Sequence, residues 1–381
     1  MAQVNAKCTD CGKIVQVDRN KDAWVCPQCG TPFIVEKAIK KYKKENTVIQ
    51  VHKKSSDLKE RNDFEIVDGV LIKYTGKSED VTIPENVVKI GRNAFEGIFE
   101  IKTVKLNNNI SEIGGYAFRN CKNLVSIELN EGIAVIGEWC FRGCEKLEKI
   151  EIPDTVRIID ECTFAECYSL KKAVIPYKIT EIRAFAFSGC KSLEEIEIPA
   201  TVRLIGKYAF AGCEKITSVT IPEGVTQIEE HQFAKCTNLA SVNIPKGVKG
   251  IGMYAFTNCV SLKSVDLPFT VMSVDGFSGC TSLKAIIIPN NATTIGDFSG
   301  CTNLETIKIP STVKSIDTPF NDCPNLKHIS WSYLSENMSK FPAYYEEVMA
   351  KRRVENKCPY CGGDFKFLAK TCKSCGKKKD Y

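Results

Sequence analysis

The fold of this chain is decided by the phrase CKSLEEIEIPATVRLIGKYAFAGC at residues 190–213, which recurs along most of the sequence. A cysteine closes each copy, and ten such cysteines follow one another at an interval of 23 residues six times and then of 21, 21 and 22. They are Cys121, Cys144, Cys167, Cys190, Cys213, Cys236, Cys259, Cys280, Cys301 and Cys323. A fixed period of this size is typical of a solenoid, in which each repeat forms one coil and stacks on its neighbours.

Each coil is expected to begin with a short strand. Ile196 and Ile198 are two residues apart and share the buried face, so that Glu195 and Glu197 point to solvent. Pro199 ends the strand because it cannot donate a ladder hydrogen bond. These patterns predict a mainly β repeat solenoid, a curved stack of about twelve coils with one parallel sheet.

Two further features complete the expected solenoid. Asp68-Gly69 stands between two alternating apolar runs, which predicts a tight hairpin that covers the first coil. The repeated cysteines are interpreted as small buried hydrophobes whose thiols donate weak hydrogen bonds to nearby backbone.

The unit C-x-x-L-x-x-I-x-I-P-x-x-V-x-x-I-G-x-x-A-F resembles the Treponema-type, or BspA-like, leucine-rich repeats. Residues 190–210 and 213–233 carry the match, which extends over roughly 64–331. The resemblance implies a curved leucine-rich-repeat stack. Many members of that class look like cell-surface adhesins, but this sequence shows no export signal and has cysteine modules at both ends, so adhesion is not carried over.

The end modules have the spacing of metal sites. Two Cys-x-x-Cys pairs are separated by fourteen residues near the start and by ten near the end. Four thiolates suit a closed tetrahedral zinc site with no open position for catalysis, and iron held in the same way is the alternative. Both modules resemble zinc ribbons, so one structural Zn²⁺ is expected in each. The predicted ligands are Cys8, Cys11, Cys26 and Cys29, and then Cys358, Cys361, Cys372 and Cys375.

The sequence therefore divides into five predicted segments. The solenoid, with its hairpin cap, is the central one, and a lysine-rich linker and a helical linker join it to the two zinc ribbons. The predicted boundaries are 1–35 for the first ribbon, 36–62 for the basic linker, 63–341 for the solenoid, 342–357 for the helical linker and 358–381 for the second ribbon.

Composition and motifs favour a non-catalytic cytoplasmic protein. His52, His231 and His328 are the only histidines, none belongs to a nucleophile or metal pattern, and each is interpreted as a solvated surface residue. No apolar run reaches the roughly 18 residues of a membrane helix, and residues 1–10 lack the core of a signal peptide. Cysteines in this pattern fit a reducing compartment. We therefore expect neither an enzyme nor a membrane protein, and no small-molecule substrate.

The solvent-facing strand positions form the predicted binding surface. They mix both charges with small hydroxylated side chains, which suits an unidentified protein partner and an adaptor or scaffold role. The assigned residues are Lys149, Glu151, Lys172, Glu195, Glu197, Ser218, Thr220, Ser241, Asn243, Ser264 and Asp266. A solvated face without a partner remains open.

The alternative function is association with nucleic acid at the basic ends. Residues 1–60 and 332–381 each carry a net charge of +5, whereas residues 61–331 carry −4.

Overall fold

The computed structural model describes residues 3–8, 13–18, 23–29, 31–34, 63–313, 315–316, 320–329 and Ala350 of the chain. The basic linker 36–62 and the second ribbon 358–381 lie outside the described residues, as does the helical linker 342–357 apart from Ala350. The chain forms two compact units, Met1–Asn62 and Asp63–Tyr381. None of the described residues belongs to a helix long and apolar enough to cross a membrane.

The first unit contains two short antiparallel hairpins. Strand β1 (Gln3–Lys7) pairs with β2 (Ile14–Asp18), and β3 (Ala23–Val25) pairs with β4 (Pro32–Ile34). A small core joins the cysteines to apolar strand residues, namely Ala6, Cys8, Val15, Val17 and Cys26.

The second unit opens with the predicted hairpin. Strand β5 (Phe64–Val67) pairs antiparallel with β6 (Val70–Tyr74). Asp68 and Gly69 form the turn with φ angles of 49° and 78°, as a type I′ turn requires. Beyond the turn, β6 pairs in parallel with the next strand of the stack, so the hairpin closes the first end of the solenoid.

The solenoid has two rows of short parallel strands. The first row consists of β7 (Asp80–Thr82), β9 (Thr103–Lys105), β11 (Ser126–Glu128), β13 (Lys149–Glu151), β15 (Lys172–Val174), β18 (Ser218–Thr220), β20 (Ser241–Asn243), β23 (Ala285–Ile287), β25 (Thr306–Lys308) and β27 (His328–Ile329). The second row consists of β8 (Lys89–Ile90), β10 (Glu112–Ile113), β12 (Val135–Ile136), β14 (Ile158–Ile159), β16 (Glu181–Ile182), β17 (Leu204–Ile205), β19 (Gln227–Ile228), β21 (Gly250–Ile251), β22 (Ser273–Val274), β24 (Thr294–Ile295) and β26 (Ser315–Ile316).

The parallel stacking is as predicted, but the first row is not one continuous sheet. It consists of four sheets, β7–β9–β11, β13–β15, β18–β20 and β23–β25–β27. Two of the expected coils, at 195–197 and 264–266, form no strand, and only Glu195 keeps a bridge to Lys172. Strands of three residues form few backbone hydrogen bonds between coils. The right-handed twist between neighbouring strands adds up along the stack and interrupts this pairing.

The core holds the coils together where strand pairing lapses. One buried phenylalanine per coil stacks on the next at ring-centroid distances of 4.8 to 6.0 Å. This phenylalanine column consists of Phe95, Phe118, Phe141, Phe164, Phe187, Phe210, Phe233, Phe256, Phe277, Phe298 and Phe320. Because the rings form one column, the hydrophobic core is continuous through all three breaks between the sheets of the first row.

The repeated cysteines bond neighbouring coils to each other. Each Sγ donates to the carbonyl oxygen of the column phenylalanine one coil earlier, at 3.1 to 3.3 Å. Cys213, for example, donates to Phe187. The interpretation of these residues as buried thiol donors is confirmed by this geometry.

Candidate protein-binding surface and candidate metal centre

The first row displays the predicted partner-binding side chains. In each three-residue strand the central residue is buried and its two neighbours point outward; Ile150 lies between exposed Lys149 and Glu151, for example. All eleven predicted binding residues are exposed, including those in the two coils without a strand. Their assignment to a partner remains a prediction.

Ion pairs neutralise part of this surface. Lys149 and Glu151 contact each other within β13, and this pairing, with a smaller effect of Lys172, holds the pKa of the Glu151 carboxyl below its ordinary value. Just before the strands, Lys171 lies 3.1 Å from Glu148 and Lys215 lies 3.4 Å from Glu194. These exposed pairs fix the side chains more than they stabilise the fold.

Several acidic residues of the row have no such partner, and three of them lie within residues 195–266. Glu195, Glu197 and Asp266 form no ion pair within the described part of the chain. Glu195 and Glu197 line a groove of about 480 Å³ against Lys171, Lys172 and Val174.

A second groove of about 660 Å³ lies at the interruption between 264–266 and β23. Its lining combines Asp266 with two large apolar side chains, Phe269 and Ile287, which are 66% and 61% exposed. Ile287 lies on the outward face of β23. Phe269 stands in a turn outside the strand alternation, at a position that the repeat pattern does not mark as exposed.

Between the two grooves the row is small and polar. Ser218 and Thr220 of β18 lie beside Ser241 and Asn243 of β20 in direct register, and Ser264 continues the series on the next coil. Short side chains allow the backbone of a partner to approach, and their hydroxyl and amide groups can donate and accept hydrogen bonds.

The first unit brings three of its four predicted metal ligands together. The sulfur atoms of Cys8, Cys26 and Cys29 lie within 4.8 Å of one another, and those of Cys8 and Cys29 are 3.8 Å apart. Tetrahedral zinc with bonds of about 2.3 Å separates its sulfurs by about 3.8 Å, so the described ligands fit the ion. Cys11 and the four cysteines of the second ribbon lie outside the described residues.

The cysteines that form hydrogen bonds between coils are unreactive by comparison. Burial raises the pKa of the Cys121 and Cys236 thiols to about 12. A protonated, buried thiol is a hydrogen-bond donor and not a nucleophile or a metal ligand.

An outer aromatic stack is a feature that the sequence interpretation missed. Phe185, Tyr208, His231 and Tyr254 stand two residues before column phenylalanines, all with φ between 53° and 58°. Their ring centroids are 4.4 to 4.9 Å apart. His231 is thus stacked and partly buried, so the interpretation of a solvated histidine was wrong there; the aromatic residue at the same position of successive repeats was the available signal. His52 lies outside the described residues.

Comparison with known proteins gives one family match. The model described as "BspA type Leucine rich repeat region" matches in six copies, over residues 70–182, 158–276 and 270–345. No curated protein matches the chain.

Several solved structures are similar to part of the chain. A leucine rich cell surface protein from Faecalibacterium prausnitzii is 29% identical, over 68% of this chain and 89% of that one, with a TM-score of 0.44. The leucine rich repeat protein of T. pallidum, TpLRR, is 29% identical over 51% and 82%, with a TM-score of 0.39. The pneumococcal vaccine antigen PcpA is 20% identical over 68% and 80%, with a TM-score of 0.49.

Proposed function

The chain belongs to the BspA type leucine-rich repeat family, and from this premise we propose that it is a non-catalytic scaffold that binds a protein partner on its first strand row. The observation that carries the proposal is the outward display of eleven side chains on successive coils, each on either side of a buried residue. A rigid array of this kind can bind an extended partner with little loss of its own conformational freedom.

The proposal is tested by capture from the cytosol of the native host. Thr220→Arg with Asn243→Arg places two long cations in the middle of the first row, and we expect these substitutions to abolish capture of the partner. Gln227→Arg, on the exposed face of the second row, is the matched control and should capture the partner normally. Equal capture by all three proteins would overturn the proposal.

We assign the cysteine modules as auxiliary zinc sites. The convergence of Cys8, Cys26 and Cys29 supports this for the first module. When bound, the ion would cross-link the two hairpins of the first unit, and a site closed by four thiolates would leave no position for a substrate.

The basic ends support a second candidate, association with nucleic acid. The net charge of +5 on each of 1–60 and 332–381 is the observation in its favour. Nuclease treatment in the same capture experiment separates the two candidates. A partner lost with nuclease and retained by the first-row variant would support the nucleic-acid function.

A cytoplasmic location belongs to the same proposal. Ten thiols donate S–H hydrogen bonds to phenylalanine carbonyls, and only reduced cysteine can do so. A reducing compartment preserves these bonds. Fractionation of the native host checks the location, and a protein found outside the cytoplasm would contradict it.

A further inference from the structure

We propose that the first row binds one extended peptide with two basic side chains four residues apart and a large apolar side chain two residues beyond one of them. This inference rests on the proposed function and narrows the binding surface to the coils between Glu195 and Ile287. It names the chemistry of the partner, which the family does not.

The basic side chains are indicated by the unpaired carboxylates. Glu195, Glu197 and Asp266 are exposed and form no ion pair within the described residues, whereas their neighbours Glu194 and Glu151 are paired with lysines. Uncompensated carboxylates at the two ends of a neutral stretch favour cations at those two places.

The two lysines near Glu195 differ in their contacts. Lys171 pairs with Glu148, whereas Lys172 is the register neighbour of Glu195 and lines the same groove. The Glu197 carboxylate, two residues further along the chain, is therefore the one we expect to receive a cation from outside the chain.

The apolar side chain is indicated by the groove at Phe269 and Ile287. Both residues are mostly exposed, and the groove between them is large enough for one leucine or phenylalanine side chain. Asp266 lines the same groove, so a cation and an apolar group can be held side by side.

The spacing follows from the stack. Glu197 and Asp266 occupy the same outward position of coils that are three apart, which is about 14 Å at a strand spacing of about 4.8 Å. In an extended peptide, residues i and i+4 face the same side and lie about 13 Å apart. Residue i+6 then reaches the groove beside Ile287, one coil further. The serines and threonine between allow the peptide backbone to lie close to the row.

The same charges argue against nucleic acid on this surface. Three unpaired carboxylates would repel a phosphate backbone, and no cation stands at the outward row positions between them, which are Ser218, Thr220, Ser241, Asn243 and Ser264. A basic and apolar peptide is the ligand whose chemistry fits both grooves.

Selection from a phage library of random linear peptides on the full-length chain tests the inference. We expect enriched peptides to share two Lys or Arg four residues apart and a Leu, Ile, Met or Phe two residues from one of them. A synthetic peptide of the enriched sequence then serves as the probe for affinity measurements. Enrichment of acidic peptides, or of peptides without this spacing, would overturn the inference.

Variants of the full-length chain locate the bound peptide. We expect Asp266→Asn, and Glu195→Gln with Glu197→Gln, each to weaken binding about two- to fivefold, as exposed ion pairs do. Ile287→Ser should weaken it about tenfold. The controls are Glu128→Gln, an exposed carboxylate elsewhere on the row, and Val135→Ser, an exposed apolar residue on the second row, and both should bind within about twofold of the parent.

The outcomes separate this inference from the proposed function. In one outcome, Thr220→Arg with Asn243→Arg abolishes peptide binding, but substitutions at Glu195, Glu197, Asp266 and Ile287 do not change it. This outcome would overturn the inference and would leave the scaffold function supported. Binding that none of these substitutions changes would overturn both.

Discussion

At the scale of single residues, the buried cysteines are the most informative feature. Their sulfurs are hydrogen-bond donors in an apolar core, and burial raises the pKa of every one of the ten above the ordinary value of 9.0. Sequence period alone predicted their burial, since any small apolar residue at a fixed position must face the inside. It could not identify the acceptor, because the phenylalanine carbonyl belongs to the preceding coil.

The raised pKa values predict loss of stability in alkali. Below pH 9 the thiols are protonated in both the folded and the unfolded chain. Above pH 9 the thiols of the unfolded chain lose their protons, whereas burial raises the pKa of Cys121 and Cys236 to about 12 in the folded chain. The free energy of unfolding should therefore fall by up to about 1.4 kcal/mol per pH unit for each thiol. Chemical denaturation at several values between pH 8 and pH 10 measures the slope.

A single substitution serves as the control for this slope. Cys236→Ala removes one titrating thiol. The free energy of unfolding of this variant should therefore fall less steeply with pH, by the contribution of that one thiol. Stability that is unchanged across this range would mean that the thiols are accessible to hydroxide in the folded state.

A second prediction at this scale concerns the turn of the hairpin. At Gly69 the φ angle is 78°, and a Cβ atom would come within 3.0 Å of a Val88 methyl carbon. Gly69→Ala should therefore reduce stability by about 1–3 kcal/mol. Asp68→Asn is the control, because Asn tolerates positive φ, and it should unfold at the parental temperature. Equal melting of Gly69→Ala and the parent would show that the turn does not limit stability.

At the scale of elements, the strand alternation was predictable and the strand pairing was not. The order of apolar and polar residues at 195–198 is the same as in coils that do form strands. The local sequence therefore does not indicate that the strand is missing there. The same holds for 264–266, where the neighbouring coil is two residues shorter. Strand pairing depends on how two neighbouring coils are placed relative to each other. The sequence of a single repeat does not determine that placement.

The first unit gives a prediction about metal content. If four thiolates hold the ion, Cys11→Ser should remove one zinc of the two expected per chain and leave the other. Metal analysis of the purified protein measures this, and Cys213→Ala, which removes a coil-bonding cysteine, is the control that should keep both ions. A zinc content that is the same in the parent and in Cys11→Ser would contradict the assignment of Cys11.

Chelation extends this prediction to the solenoid. A strong chelator should remove the ions and unfold the modules, while the β-sheet circular dichroism of the stack persists, because apolar packing and strand pairing hold the described coils together. Loss of that signal together with zinc would mean that the ions support the whole chain.

At the scale of the whole molecule, the solenoid is held by contacts between adjacent coils. Within the phenylalanine column, the ring of Phe210 contacts only those of Phe187 and Phe233, at centroid distances of 5.5 and 5.6 Å. Every other interior ring of the column likewise contacts one ring on each side. Energetic coupling in such a stack passes from neighbour to neighbour. The period of the sequence predicted this architecture, although it left the partner and the outer aromatic stack unspecified.

The nearest-neighbour arrangement predicts how the stack fails. Phe210→Ala leaves a cavity in the column and should cost about 3–5 kcal/mol. Amide hydrogen exchange should then show the largest loss of protection in coils 187–233, with protection kept towards both ends. Phe269→Ala, at an exposed aromatic, should change stability by less than about 0.5 kcal/mol. Uniform loss of protection along the chain would indicate global cooperativity.

The sulfur-to-carbonyl bonds also bear on how such a chain can change its length. Every interior coil contributes one thiol donor to the coil before it and one phenylalanine carbonyl acceptor to the coil after it. A gene duplication or deletion that spans whole repeats therefore leaves each donor with an acceptor, whatever the boundary chosen within the period. The number of coils is accordingly free to drift in evolution, and the hairpin that closes the first end is the part that must be inherited intact.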